Sequence, residues 1–75
     1  MRIRVKLMGL LKVRTPEGGT LGLGDGATIE DALRALEIAP RTTAVITVNG
    51  RIARDRTAAL VANDELIVIP PVGGG

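Results

Sequence analysis

Protein chemistry most often starts from histidine, cysteine or a pair of carboxylates, and this chain has no histidine and no cysteine. That removes the usual general base, thiolate nucleophiles, zinc–thiolate sites and any disulfide framework. Two carboxylate pairs remain, Glu30–Asp31 and Asp64–Glu65. The first pair falls at a predicted helix start, where neighbouring residues point in different directions. The second opens a predicted strand. Capping and solvation account for both, so no acid–base site is expected. Gly22-Leu23-Gly24-Asp25-Gly26-Ala27 fits the glycine pattern of a dinucleotide-binding turn. The chain is too short for the doubly wound sheet which that pattern serves, so a glycine-rich turn is expected instead.

What remains is the end of the chain, Pro70-Pro71-Val72-Gly73-Gly74-Gly75. The two prolines favour a stiff, extended exit. Gly73 and Gly74 lack side chains and can thread a channel too narrow for other residues. The four residues from Val72 to Gly75 reach about 13–14 Å when extended. This shape presents the carboxylate of Gly75 to another protein's active site. Residues 1–69 are expected to form the folded domain and 70–75 a flexible tail.

The chain has 75 residues, one small domain, and a net charge of only +2. It has no aromatic residue, hence no platform for stacking bases and a core of Val, Ile, Leu and Ala alone. Arg2, Arg4 and Lys6 alternate along one segment, and Arg51, Arg54 and Arg56 cluster later. Solvated strand faces explain them, and an acidic protein partner suits this modest excess at least as well as nucleic acid does. No apolar run approaches membrane-spanning length, and the N-terminus alternates charged and apolar residues. A soluble, cytoplasmic protein is expected, monomeric when free, with no nucleic-acid or membrane partner.

The elements follow from periodicity. Ile3, Val5 and Leu7 alternate with charged residues, as in a half-buried strand. Leu10, Leu11 and Val13 suggest partial burial in the stretch up to Gly19, which closes in the turn Thr15–Gly19. Thr20–Leu23 reads as a short strand pairing back on the first. Thr28 is a good helix N-cap, with Asp31 at the capping-box position. Ile29, Ala32, Leu33 and Leu36 then form one apolar stripe, fading near Glu37 ahead of Pro40. Thr43–Val48 reads as a buried strand. Asn49-Gly50 is a hairpin turn, and Arg51–Arg54 a short return strand. A helical turn is expected within Asp55–Ala62. Glu65–Ile69 is apolar on both faces, with Ile67 and Ile69 on one and Leu66 and Val68 on the other, which suits a central strand. If the first and last strands pair, they run parallel. This is an α+β fold, a mixed sheet of four to five strands with one main helix on one face, as in the β-grasp or ubiquitin-like arrangement.

Three stretches carry a family resemblance: Gly26-Ala27-Thr28-Ile29-Glu30-Asp31-Ala32-Leu33, Val48-Asn49-Gly50-Arg51, and Asn63-Asp64-Glu65-Leu66-Ile67-Val68-Ile69-Pro70-Pro71-Val72 with the terminal glycines. Together they resemble the ThiS/MoaD family of bacterial and archaeal sulfur carrier proteins, with the Pro-Pro-Val leaning to the MoaD side. The resemblance implies a carrier, not an enzyme, with no bound cofactor. An E1-like adenylyltransferase would use ATP and magnesium to activate Gly75. Sulfur would then replace AMP, and a downstream synthase would accept it for molybdopterin, thiamin or another sulfur metabolite. Gly73 and Gly74 would give access, while Ile67, Ile69 and Val72 would help dock partners. A ubiquitin-like modifier joined to lysines through Gly75 is the alternative. The chain departs from the family in two places. Its tail has three glycines where two are usual, so either Gly73 is a spacer or one glycine is removed. Asn63-Asp64 stands where Gly-Asp is usual, and Asn also tolerates the left-handed turn conformation.

Overall fold

The computed structural model describes residues 1–39 and 42–71, so Pro40, Arg41 and the tail from Val72 to Gly75 lie outside the described residues. The strands are β1 (Arg2–Leu7), β2 (Thr20–Gly22), β3 (Val45–Val48), β4 (Arg51–Ile52) and β5 (Glu65–Ile69), with one helix, α1 (Ile29–Ala35). They form a five-stranded sheet in the order β2-β1-β5-β3-β4. The first and last strands pair in parallel, with Val5 opposite Leu66 and Leu7 opposite Val68. The other pairings are antiparallel. This is the β-grasp expected from the sequence, with β5 at the centre.

Alternation along the strands sends Ile3, Val5, Leu7, Ile46, Leu66 and Val68 to the helix side. There they meet Ile29, Ala32, Leu33 and Leu36 of the α1 stripe, with Ile38 and Leu60 closing the edges. Each fully buried branched side chain contributes roughly 1.5–3 kcal/mol. A helix of seven residues is too short to persist alone, so this packing holds it. Its ends are also closed. Asp31 N–H donates to Thr28 Oγ1 and Thr28 N–H to Asp31 Oδ2, at 3.1 and 2.9 Å, which completes the expected capping box. At the other end Glu37 takes a φ of +59°. That lets Ile38 N–H reach Leu33 O at 2.9 Å and Glu37 N–H reach Arg34 O at 3.0 Å, as in a Schellman cap.

The hairpin also forms as read. Asn49 and Gly50 have φ of 54° and 83°, the left-handed pair a two-residue turn needs. Asn63 has φ of 71°, so the turn that usually carries glycine survives with asparagine.

Four expectations need correction. The segment Asp55–Ala62 has no helical turn. Asp55 Oδ1 accepts from Thr57 N–H and Thr57 Oγ1 at 2.9 and 2.6 Å, a side-chain turn that competes with helix. The carbonyls of Arg56 and Ala58 are instead used by Glu30 and Ile29 N–H of α1. Strand β3 begins at Val45, not Thr43, and buries Ile46 while Val45 and Thr47 stay half-exposed. Among the described residues no second layer covers that face. Strand β4 ends at Ile52, two residues before Arg54, because the chain turns away after Ala53 N–H donates to Ile46 O. Finally, Leu10 and Val13 are each 90 % exposed rather than partly buried. Gly9–Arg14 coils into a 3-10 segment in which Leu11 alone packs on the core.

Candidate functional site

Among the described residues no layer covers the face of the sheet opposite α1, and register fixes what it displays. Lys6 lies beside Ile67 and Arg4 beside Glu65. Across β5, Thr47 lies beside Ile67 and Val45 beside Ile69. Across β3, Ile52 lies beside Thr47. Residues directly paired share a face. The result is an apolar strip of Ile67, Ile69, Val45 and Ile52, with Thr47 at its centre. Ile67 and Ile69 are half-buried and Ile52 is 60 % exposed. Arg2, Arg4 and Lys6 flank the strip along β1. Arg4 reaches Glu65 at 3.8 Å. Thr47 Oγ1 is the one buried side-chain oxygen or nitrogen without a hydrogen-bond partner among the described residues.

This face is built on a firm frame. Asp64 is buried, with 8 % exposure. Its two oxygens accept from Asn49 Nδ2 and Val61 N–H, both at 2.8 Å. Asn49 Oδ1 in turn accepts from Glu65 N–H at 2.9 Å. The β3–β4 turn is thereby tied to the start of β5.

Strand β5 ends at Ile69, and its exit is held on both sides. Met8 N–H donates to Val68 O at 3.1 Å, and Ala44 N–H to Ile69 O at 2.8 Å. Pro70 lies against Gly9, so close that a Cβ there would sit 3.1 Å from Pro70 Cγ. Gly9 also has φ of +55°, so two constraints favour glycine there. The expected working residues Gly73, Gly74 and Gly75, and Val72 with them, lie outside the described residues. Ile67 and Ile69 lie half-buried on the face away from α1. Val45, Thr47 and Ile52 complete that strip and were not singled out from sequence. The signal available was parity with Ile67 across the ladder, which needs the register.

The rival sites lose their chemistry. The first-turn donors that a pyrophosphate would need are taken. Ile29 N–H goes to Ala58 O, Glu30 N–H to Arg56 O and Asp31 N–H to Thr28 Oγ1. The Gly22–Ala27 stretch is thus a turn, as expected. Glu30 and Asp31 both pair with Arg34 at 3.3 Å. Hydrogen bonds from the Thr28 backbone and hydroxyl hold the Asp31 carboxyl below the usual carboxylate range, with Arg34 adding to this. Asp55 is lowered by the Thr57 hydroxyl and backbone N–H. Both acids are structural. Among the described residues no group of three acidic side chains converges as a metal site would require. Arg56 Nη2 donates to Thr43 Oγ1, which removes it from a free basic cluster.

A five-stranded mixed sheet with one helix on its face, ending at a glycine tail, defines a ubiquitin-like β-grasp protein. The family model of the ThiS family matches residues 5–75, and the chain belongs to that family. Members of this family are in general carrier proteins and not enzymes. Among solved structures, the chain is similar to SAMP1 of Haloferax volcanii, with 27 % identity over the whole of both chains and a TM-score of 0.75. A second structure, of H. volcanii small archaeal modifier protein 1, gives 26 % identity over 95 % of this chain and 98 % of that one, with a TM-score of 0.71. A third, a complex of subunits 1 and 2 of molybdopterin-converting factor from Helicobacter pylori 26695, shares the fold. It has 16 % identity, full coverage of both chains and a TM-score of 0.63. Comparison with curated protein sequences finds no match. No helix among the described residues is long and apolar enough to cross a membrane.

Proposed function

We propose that this chain is a sulfur carrier whose Gly75 carboxylate is activated by a partner and converted to a thiocarboxylate. The observation that carries this reading is the family match, which runs through the exit of β5 to Gly75. The chain has no cysteine, serine or histidine, so its terminal carboxylate is the handle. A carboxylate is a poor electrophile. In an E1-like adenylyltransferase, with ATP and magnesium supplied there, a Gly75 oxygen attacks the α-phosphorus and pyrophosphate leaves. Sulfur then attacks the acyl carbon and AMP leaves. Delivered as hydrosulfide, it gives the thiocarboxylate directly. Delivered as a persulfide, it leaves an acyl disulfide that a thiol must reduce. The thiocarboxylate is ionised and polarisable, and so nucleophilic for the reasons a thiolate is. Gly73 and Gly74 give the tail its narrow profile. Ile67 and Ile69, with Val45, Thr47 and Ile52, form the docking strip, and Val72 offers the partner a further apolar contact. A downstream synthase then takes the sulfur into molybdopterin, thiamin or another metabolite. The chain itself binds no cofactor, and it acts as a cytoplasmic monomer when free.

The likeness to a small archaeal modifier protein supports a second reading, in which activated Gly75 is joined to target lysines. Both readings share the adenylation step. The test is incubation of the chain with the host adenylyltransferase, ATP, magnesium and a sulfide donor. The expected product is the thiocarboxylate at Gly75, absent when Gly75 is deleted. AMP release from the deleted chain equal to that from the intact one would overturn the proposal. Branched Gly75–lysine peptides in the host extract, with no thiocarboxylate, would favour the modifier.

A further inference from the structure

One feature is not used by the docking strip. In the 3-10 segment Gly9–Arg14, two large apolar side chains stand 90 % exposed, Leu10 and Val13. Single exposed apolar residues are ordinary, but these two are placed together. A 3-10 helix has three residues per turn, so positions i and i+3 eclipse and Leu10 and Val13 fall along one edge. The neighbouring edge carries Leu11, packed on the core, and Arg14, which reaches Glu37 at 3.7 Å. Lys12 occupies the third edge. The segment holds two bases and no acid. It is also anchored. Leu11 N–H donates to Met8 O and Thr15 N–H to Lys12 O, at 3.1 and 3.0 Å. Gly9 rests against Pro70 at the root of the tail. The chain therefore holds an apolar, basic-flanked edge in fixed relation to the point where its tail departs.

We infer that the Leu10–Val13 edge is a second docking element, seated in an apolar recess rimmed by carboxylates on the protein that adenylates the tail. The charge pattern selects the partner's chemistry: with Arg14 paired to Glu37, Lys12 on the segment and Lys6 on the adjoining strand favour an acidic rim. Position selects its task. A protein that draws in an extended tail of four residues must hold the body of the chain near the tail's root, and this edge is there. The inference rests on the proposed activation of Gly75 only in requiring that such a partner exists, and it holds for the carrier and the modifier alike.

The test is ATP–pyrophosphate exchange by the adenylyltransferase of the same host, titrated with the intact chain, Leu10→Ser/Val13→Ser and Lys12→Glu. Both side chains of the double variant are solvent-exposed, so its melting temperature should match the parent. Its half-saturating concentration should rise about tenfold, as expected when apolar anchors are truncated, with the maximal rate nearly unchanged. Lys12→Glu provides a second arm that removes no apolar contact. It should weaken half-saturation several-fold at low salt, with the difference shrinking as salt is raised. An unchanged half-saturation for both variants overturns the inference while leaving the activation of Gly75 intact. Unchanged adenylation with slower sulfur hand-over also overturns it, by assigning the edge to the acceptor. If the intact chain supports no exchange, the proposed function fails and this inference fails with it.

Discussion

Asp64→Ala should cost this protein a large part of its stability. The side chain is buried, and its two oxygens accept from Asn49 Nδ2 and Val61 N–H at 2.8 Å each. Hydrogen bonds to a carboxylate are worth about 1.5–3 kcal/mol apiece. With 8 % exposure, water can refill part of the gap, so the low end applies to both and the loss is about 3 kcal/mol. A 75-residue domain is stable by roughly 4–11 kcal/mol, so this is about a quarter or more of the total. At about 4–8 °C per kcal/mol, the melting temperature should fall by about 12–24 °C. With no aromatic residue to report fluorescence, far-ultraviolet circular dichroism is the assay. Asp64→Asn keeps one acceptor but turns an amide donor towards Asn49, so it should lose roughly half as much. An alanine variant within about 0.5 kcal/mol of the parent would refute the reasoning, since changes of that size are typical of plain surface sites. The Asn49–Asp64 tie would then not hold the hairpin to β5.

The other predictions concern the helix cap and the acids. Glu37 carries a left-handed φ of 59° without being glycine. Glu37→Gly relieves that strain, about 1–2 kcal/mol, against about 0.5–1 kcal/mol of added unfolded-chain freedom. The exposed Arg14–Glu37 pair contributes little. The variant should therefore melt about 2–4 °C higher. Asn63→Gly should change little, because asparagine already tolerates the left-handed conformation; equal shifts for the two variants would contradict this. Asp31 and Asp55 titrate below their ordinary value of 3.8 in the folded chain. The stability they contribute is therefore present above the ordinary carboxylate range and is lost as pH falls through their lower folded values. In melting curves recorded below pH 4, Asp31→Asn/Asp55→Asn should show a shallower decline than the parent; an identical slope would contradict the assignment.

Much of the fold was legible because it rests on local signals. The alternation of Ile3, Val5 and Leu7, the Thr28 cap, the Asn49-Gly50 turn and the double proline after Ile69 each act within a few residues. What sequence reading missed depended on distant partners. Arg56 and Ala58 forgo a helical turn because their carbonyls serve the first N–H groups of α1, some thirty residues earlier. Val45 and Thr47 of β3 are half-exposed because none of the described residues packs on that side of the sheet, which no local period reveals. Leu10 and Val13 look like core residues by type, and only the 3-10 geometry shows that Leu11 alone turns inward. For the site, the tail and the parity of Ile67 and Ile69 were readable, whereas Val45, Thr47 and Ile52 required the strand register.

The central claim is that Gly75 carries sulfur, and the intact mass of the protein purified from its native host tests it most directly. A thiocarboxylate replaces one oxygen by sulfur, a shift that oxidation of Met1 or Met8 nearly mimics, so the mass must be taken before and after alkylation. With no cysteine in the chain, the thiocarboxylate is its one efficient nucleophile. The account predicts a single adduct mapped to Gly75. An unmodified mass with no adduct, persisting after incubation with the host adenylyltransferase, ATP and a sulfur donor, would contradict it.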